Sequence, residues 1–228
     1  PDHEQSEYID IALSSGRNLT HLISDILDLS QIEQGDVTLE SHGFNINQLI
    51  KDVINTFITE FTSKKIEIIS HIEKALPEIV YGDSGRLRQI LFNILGNSIK
   101  FTPHGRVTIS IDSLTAGKTI HIFIEISDTG IGIPEDKLDE IFVPFTQVDG
   151  SLTRKYGGVG LGLSIVKKLL LVVGGSITVD NNEREGITTC IAIPFKATEP
   201  PILEGTDQAY DIADEYIPNL KILIAEDD

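Results

Sequence analysis

The chain has 228 residues, enough for one large domain or two modest ones with a real core, and its 40% hydrophobic and 23% charged content excludes a disordered protein. Its formal net charge of −17 repels phosphate backbones and anionic lipid, which argues against nucleic acid or a membrane surface as partner. A single cysteine, Cys190, excludes an internal disulfide framework and a cysteine-based zinc site, and the six histidines lack metal-ligand spacing. No apolar run is long enough to span a bilayer and no signal peptide is visible. The sequence contains no Met, even at position 1, so a fragment or a processed piece of a longer protein is expected.

Glu7 to Gln34 reads as one long helix. Tyr8, Ala12, Ser15, Leu19, Leu22, Ile26 and Leu29 follow a near-heptad seam, flanked by Ile9, Leu13, Ile23 and Leu27, and Gly35-Asp36 stops it. A seam this wide is either half of a helical hairpin that dimerises into a bundle or a face packed on the chain's own domain. Helix length and heptad spacing agree on the former. Asn18-Leu19-Thr20 has the form of a glycosylation triplet but lies inside this seam.

From Val37 the pattern changes. Val37 to Glu40 is expected as a short strand, Ile46 to Phe61 as an amphipathic helix with Leu49, Ile50, Val53, Phe57 and Phe61 on one face, and Ile66 to Ile72 as a strand. A loop holding Pro77, Gly82, Asp83 and Gly85 leads into a helix at Arg86 to Thr102, RLRQILFNILGNSIKFT. Its apolar stripe is Leu87, Ile90, Leu91, Ile94, Leu95 and Ile99, while Asn93, Asn97 and Lys100 share another face. Two amide oxygens and a cation on one face suit Mg²⁺ and phosphate, or are simply the solvated side of an amphipathic helix.

Arg106 to Ile111 and Thr119 to Ser127 alternate as strands of a hairpin turning at Thr115 to Lys118. Gly117-Lys118-Thr119 is not the end of a phosphate-binding Walker loop, because position 112 is Asp and a strand, not a helix, follows. Ile122 to Ile133, IFIEISDTGIGI, delivers Asp128 to a strand end, with Gly130 and Gly132 letting backbone approach a ligand. A carboxylate there can accept from an exocyclic amine such as adenine's; the plain alternative is an Asp-Gly turn. Phe142 and Phe145 precede a polar segment, Gln147 to Lys155, whose length suits a mobile lid carrying Arg154 and Lys155. Tyr156 to Leu163, YGGVGLGL, places Gly157, Gly158, Gly160 and Gly162 before a helical run at Ser164 to Val172, which suits phosphate held by backbone N–H groups. The spacing is not that of a dinucleotide-binding fingerprint. Strands are expected at Ser176 to Asp180 and Ile187 to Pro194. Thr198 to Asn219, rich in Pro, Glu and Asp, reads as a linker, and KILIAEDD at Lys221 to Asp228 as a buried strand ending in acids.

In this order, RLRQILFNILGNSIKFT, DTGIG, FVPF and GGVGLGL resemble the N box, first glycine box, F box and second glycine box of sensor histidine kinases, within the fold shared by gyrase, Hsp90 and MutL. The resemblance covers roughly Val37 to Phe195, and the preceding helix looks like the second helix of the dimerisation and phosphotransfer domain. It implies an α+β fold: a two-layer sandwich, mixed sheet with helices on one face, preceded by a long helix of a dimeric bundle. The implied domains are 1–36 (partial phosphotransfer domain), 37–197 (ATP-binding catalytic domain), 198–219 (linker) and 220–228 (start of a receiver, with Glu226 and Asp227 in its Mg²⁺ pocket), as in a hybrid kinase.

By the same resemblance, Asn97 ligates Mg²⁺ with Asn93 beside it, Lys100 contacts phosphate, and Asp128 binds the adenine amine in a pocket shaped by Gly130 and Gly132. Phe145 belongs to the nucleotide site, Arg154 approaches the γ-phosphate, and Gly158, Gly160, Leu161 and Gly162 hold the lid hinge and phosphates. Thr189 stands where the family often has a hydroxyl near adenine. Asn93, Lys100 and Arg154 are the implied catalytic residues, with ATP and Mg²⁺ as ligands. Implied partners are a second copy through the N-terminal helix, and receiver, histidine phosphotransfer or response regulator proteins. A cytoplasmic location is implied, with membrane attachment only through other parts of an inner-membrane parent.

The departures are equally specific. The His-Glu acceptor box followed by Arg-Thr-Pro is absent: His3-Glu4 is followed by Gln-Ser, and His21 lies mid-seam where the family does not place the acceptor. This chain is therefore expected not to phosphorylate itself. Val159 replaces the usual Thr, which implies weaker nucleotide binding or faster exchange. The competing readings are a regulatory module that binds nucleotide weakly and heterodimerises with another histidine kinase, and an ATP-hydrolysing machine related to MutL or gyrase.

Overall fold

The computed structural model describes residues 8, 16, 19–20, 23–24, 26–35, 37–73, 76–146 and 159–197. The expected lid with Arg154 and Lys155, Gly157 and Gly158, the linker at 198–219, the receiver-like end and most of residues 1–25 lie outside them.

The described residues before Gly35 are helical, with an unbroken run at 26–34 (α1), and Gly35 at φ 74° ends the helix. The far end of α1 is docked: Leu29 is buried and Ile32 packs against the core. Tyr8, Leu19, Ile23, Ile26 and Leu27 stay exposed. The expected strand at Val37 to Glu40 does not form. That stretch is unpaired, its Glu40 N–H held by Asp83 Oδ2 at 3.1 Å, and the first strand is β1, His42–Asn45. A strand exists only where a partner lies, and the partner of β1 is β3, Ile79–Gly82, in the stretch expected to be a loop.

Asn45 caps α2, Ile46–Thr56, by accepting from the Gln48 N–H at 2.9 Å. The single helix expected to reach Phe61 is broken at Phe57, and α3 runs Ile58–Lys64. Asn55, Thr56 and Phe57 are weak helix formers, and the turn sets the Phe57 ring 4.6 Å from that of Phe92 while still burying Phe57 and Phe61. The chain continues through β2 (Ile66–Ile72), α4 (Ser84–Phe101), β4 (Gly105–Ala116), β5 (Thr119–Asp128), α5 (Gly162–Val172), β6 (Ser176–Asn181) and β7 (Ile187–Lys196). Two short 3₁₀ turns, Glu135–Lys137 and Glu140–Phe142, lie between β5 and α5.

The sheet order is β1-β3-β7-β5-β4-β2, and β6 pairs with the first half of β7 on the same edge as β3, opposite β5; β2 and β4 are parallel and the remaining pairs antiparallel. Alternation decides which face is covered. Val107, Ile109, Ile111, Ile122, Ile124, Ile126, Ile191 and Ile193 are buried under the helices, while Asp112, Phe123 and Glu125 on the opposite face are exposed. The stripes expected on α2 and α4 are the ones buried. The result is the two-layer α+β sandwich with a mixed sheet. Among the described residues no helix is long and apolar enough to cross a membrane.

The β6–β7 turn is tied tightly to the end of β5. Gly186 has φ 84°, and a Cβ there would stand 1.9 Å from the Asp128 carbonyl oxygen. Gly186→Ala therefore forces backbone apart in a conformation L residues avoid, and is expected to lower stability by about 3 kcal/mol, read by chemical denaturation. An unchanged midpoint would show that the turn can move away freely.

Candidate functional site

The site is built along α4. Asp83 caps the helix by accepting from the Arg86 N–H at 2.9 Å. With one face of α4 in the core, Asn93, Asn97 and Lys100 fall at its half-exposed rim. Asn93 Nδ2 donates to the Gln89 carbonyl at 3.1 Å. Its Oδ1 lies 3.1 Å from where a Gly162 Cβ would be, and Asn97 Nδ2 lies 3.6 Å from the same point. A half-turn of the Asn97 amide presents its oxygen instead. The two amides and the first residue of α5 thus converge.

The Lys100 ammonium sits 4.8 Å from the Phe101 ring centre, and burial lowers its pKa. The last turn of α4 is held by Lys64, whose Nζ donates to the carbonyls of Ile99 at 2.6 Å and Lys100 at 3.3 Å.

Asp128 is 3% exposed at the end of β5. Burial pushes its pKa up; N–H groups of Gly130 and Ile187, at 3.0 and 3.3 Å from Oδ1, and the Ser98 hydroxyl pull it back. Thr189, also buried, lies two residues along β7 from Ile187, on the same inner face and in register with Ile126. Asn182 Nδ2 donates to the Asp128 carbonyl at 2.9 Å, which fixes the strand end that presents the carboxylate.

The glycines answer to the chain's own packing. A Cβ on Gly130 would meet Phe101 O at 2.6 Å, Asp128 Oδ1 at 2.9 Å and Thr102 Oγ1 at 3.0 Å. Gly132 has φ 69° in a loop fastened by Asn181, which exchanges hydrogen bonds with the Ile133 backbone at 2.9 and 2.6 Å. Gly160 has φ 75°, its Cβ position is 2.4 Å from Thr146 O, and its carbonyl accepts from the Phe145 N–H at 3.0 Å. Phe145 is itself at φ 64° and 61% exposed. Leu161 differs from the others: its side chain is buried in the core, which leaves only its backbone for a ligand.

Two clusters result. Asn93, Asn97 and Gly162 meet at one place, joined through the backbone of Gly160 to Phe145 and Thr146. Asp128 and Gly130 meet at another, with Thr189 buried on the same inner face of β7 beside Ile126, and α4 contributes to both. Sequence reasoning missed Ser98, Thr102, Asn181, Asn182 and Gly186 around Asp128. A signal existed for the first two, since hydroxyls stand on the buried stripe of α4. Gly186 had none, because its constraint is a close approach across two strands.

Chemically, a buried carboxylate with one oxygen taken by N–H groups can accept from an amine with the other. Among the described residues no group of three or more His, Cys, Asp or Glu could hold a metal by itself. The paired amides are neutral hard donors and fit a Mg²⁺ that arrives with the anionic oxygens of a phosphate.

The comparisons with known proteins agree with this layout. Residues 82–197 match the model of the histidine kinase-, DNA gyrase B-, and HSP90-like ATPase family, and residues 1–35 match the His Kinase A (phospho-acceptor) domain. The hybrid signal transduction protein dokA of Dictyostelium discoideum is 40% identical over 89% of this chain and 12% of its own length. The autoinducer 2 sensor kinase/phosphatase LuxQ of Vibrio parahaemolyticus is 36% identical over 98% of this chain and 26% of its own. The chain thus spans about a quarter or less of these relatives. Among solved structures, full-length ShkA in complex with AMPPNP superposes with a TM-score of 0.71 at 31% identity, covering 87% of this chain and 40% of that one. A family match over half of the sequence, the two-layer fold and the adjoining match to the His Kinase A domain together place the chain among the sensor histidine kinases, within the histidine kinase-, DNA gyrase B- and HSP90-like ATPases.

Proposed function

We propose that this chain is the ATP-binding catalytic region of a hybrid sensor histidine kinase, whose full-length parent moves the γ-phosphoryl of ATP to a histidine nitrogen and onward to a receiver aspartate. The domains follow accordingly: 1–36 as the second helix of the phosphotransfer domain, 37–197 catalytic, 198–219 linker, 220–228 the start of a receiver. The observation that carries this reading is the pair of clusters on α4: a buried carboxylate beside one end, and two amides facing the glycine that opens α5 beside the other.

Asp128 accepts from the adenine amine, with Thr189 beside it and Gly130 and Gly132 keeping the loop close. Gly158, Gly160, Leu161 and Gly162 offer backbone N–H groups to the phosphates, Lys100 and Arg154 offer charge, and Phe145 borders the site. Asn97, with Asn93 beside it, holds Mg²⁺, which supplies charge neutralisation on the phosphates. Positioning and electrostatics of this kind carry most of a phosphoryl transfer. The exposed seam of α1 pairs with a second copy in the parent protein. The regulatory-module alternative rested on Val159, but that side chain packs against the core, so the missing hydroxyl is a change on the inner side of the loop.

Calorimetric titration of ADP and a non-hydrolysable ATP analogue tests the reading. Binding is expected, strongest with Mg²⁺ for the triphosphate analogue, and weakened about 10- to 100-fold in Asp128→Asn through loss of a charge-assisted hydrogen bond. No binding by the intact chain would refute it.

The buried carboxylate also sets a pH dependence. Because its folded pKa is raised, the folded state holds the proton more tightly than the unfolded chain. The wild type should therefore lose stability relative to Asp128→Asn as pH rises from about 3.9, the ordinary aspartate value, through the raised folded pKa. Denaturation of both proteins at stepped pH reads this difference; a wild type that gains stability relative to Asp128→Asn as pH rises contradicts it.

With no acceptor box in these residues, incubation with γ-labelled ATP should leave no acid-labile phosphate on the chain, whereas a supplied upstream hairpin should become labelled. Acid-labile label retained on the isolated chain would overturn this.

A further inference from the structure

The ladder between β5 and β7 ends at the pair Ser127 and Thr188, one residue short of Asp128. Beyond that pair a side chain takes over from backbone. Asn182, the residue after β6, directs its Nδ2 at the Asp128 carbonyl at 2.9 Å, the Ser127 hydroxyl at 3.3 Å and the Glu185 carbonyl at 3.3 Å. Its Oδ1 accepts from the Thr188 hydroxyl at 2.6 Å, and Thr188 Oγ1 lies 2.9 Å from Ser127 Oγ. A carbonyl oxygen can only accept, so the Asp128 and Glu185 carbonyls fix which end of the Asn182 amide is nitrogen.

One half-buried amide therefore joins the last residues of β5, the start of β7 and the turn between β6 and β7. The Asn182 backbone belongs to the same junction, since its N–H donates to the Gly186 carbonyl at 3.0 Å and closes the turn. Ile187, the next residue, donates its N–H to Asp128 Oδ1 at 3.3 Å. Two ties from outside its own loop thus set the direction of the Asp128 carboxylate: the Ser98 hydroxyl from α4, and the Ile187 N–H from the turn that Asn182 closes. Asn182 holds the same residue a second time through its carbonyl. A group that recognises a ligand has to stay within about 0.5 Å of its productive position, and ties of this kind keep it there.

We propose that Asn182 is a positioning residue for nucleotide binding: by fastening the β6–β7 turn to the end of β5, it aims the Asp128 carboxylate at the ligand. This rests on the reading that Asp128 faces adenine.

The test is a double-mutant cycle read by calorimetric titration of ADP, with Asn182→Ala and Asn182→Leu each made in the wild type and in Asp128→Asn. The alanine variant leaves room for water to satisfy the Asp128 carbonyl, and the leucine variant keeps the side-chain volume, so the tether is lost in two different ways. The stoichiometry of each titration counts the folded molecules, which separates a loss of fold from a loss of affinity. In the wild type, either substitution should weaken ADP binding about 5- to 10-fold, the worth of one net hydrogen bond in the upper part of its range. In Asp128→Asn, the same substitution should change affinity by less than about twofold, because the group it aims is gone. Unchanged ADP affinity in both variants overturns the proposal. So does a loss by the same factor in both backgrounds, which is what a purely structural role would give. If the wild type binds no ADP, the adenine reading of Asp128 fails first and the role of Asn182 with it; ADP binding that Asp128→Asn weakens and the Asn182 variants leave intact refutes Asn182 alone.

Discussion

Everything at the candidate site depends on the burial of one face of α4 against the inner side of the sheet. Leu87, Ile90, Leu91, Ile94, Leu95 and Ile99 are each no more than 4% exposed, and each fully buried aliphatic side chain contributes about 1.5–3 kcal/mol. That contact fixes the rotation of the helix about its axis. Once it is fixed, the polar residues have no choice of direction: Asn93, Asn97 and Lys100 emerge at the rim, and Ser98 and Thr102 face the end of β5. A rotation of one residue would bury the amides without partners and expose the leucines.

The second constraint is the closeness of three chain segments around Asp128. The loop after β5, the end of α4 and the β6–β7 turn meet there with backbone against backbone, and Gly130 and Gly186 permit it because neither has a Cβ. Charging a buried carboxylate is costly, and here two backbone N–H groups and a hydroxyl offset part of that cost. The carboxylate is held rigidly as a result, with its ionised form destabilised enough to favour any donor that can satisfy its remaining lone pairs.

The N-terminal helix is coupled to the same two helices that form the site. Asp28 accepts from Arg86 at 3.3 Å and from Gln89 at 2.7 Å on α4, Glu33 pairs with Lys168 on α5, and Leu29 enters the core between these polar contacts. Arg86 and Asp28 are 22% and 19% exposed and Lys168 and Glu33 28% and 57%, and the buried Leu29 adds apolar contact between the two pairs. Gln89 belongs to this contact through its side chain and to the site through its carbonyl, which orients Asn93.

The N-box helix, its polar face, the β4–β5 hairpin and the order of the glycine motifs were legible in the sequence, because each rests on local periodicity or on short motifs. The Asp128 carboxylate was legible for the same reason, as the end of an alternating strand. β3 was not: Gly82 and Asp83 look like a loop until β1 and β7 lie beside them, and pairing is a non-local property. Nor was the break at Phe57, whose ring lies against that of Phe92, or the role of Gly186, which depends on an oxygen 58 residues earlier in the chain. The sequence by itself thus determined most of the helices and strands and the candidate residues placed on them. Only the tertiary structure decided which backbones touch, that the glycines serve packing as well as any ligand, and that the buried Thr102 hydroxyl has no partner among the described residues, since close approach between distant segments leaves no local pattern to read.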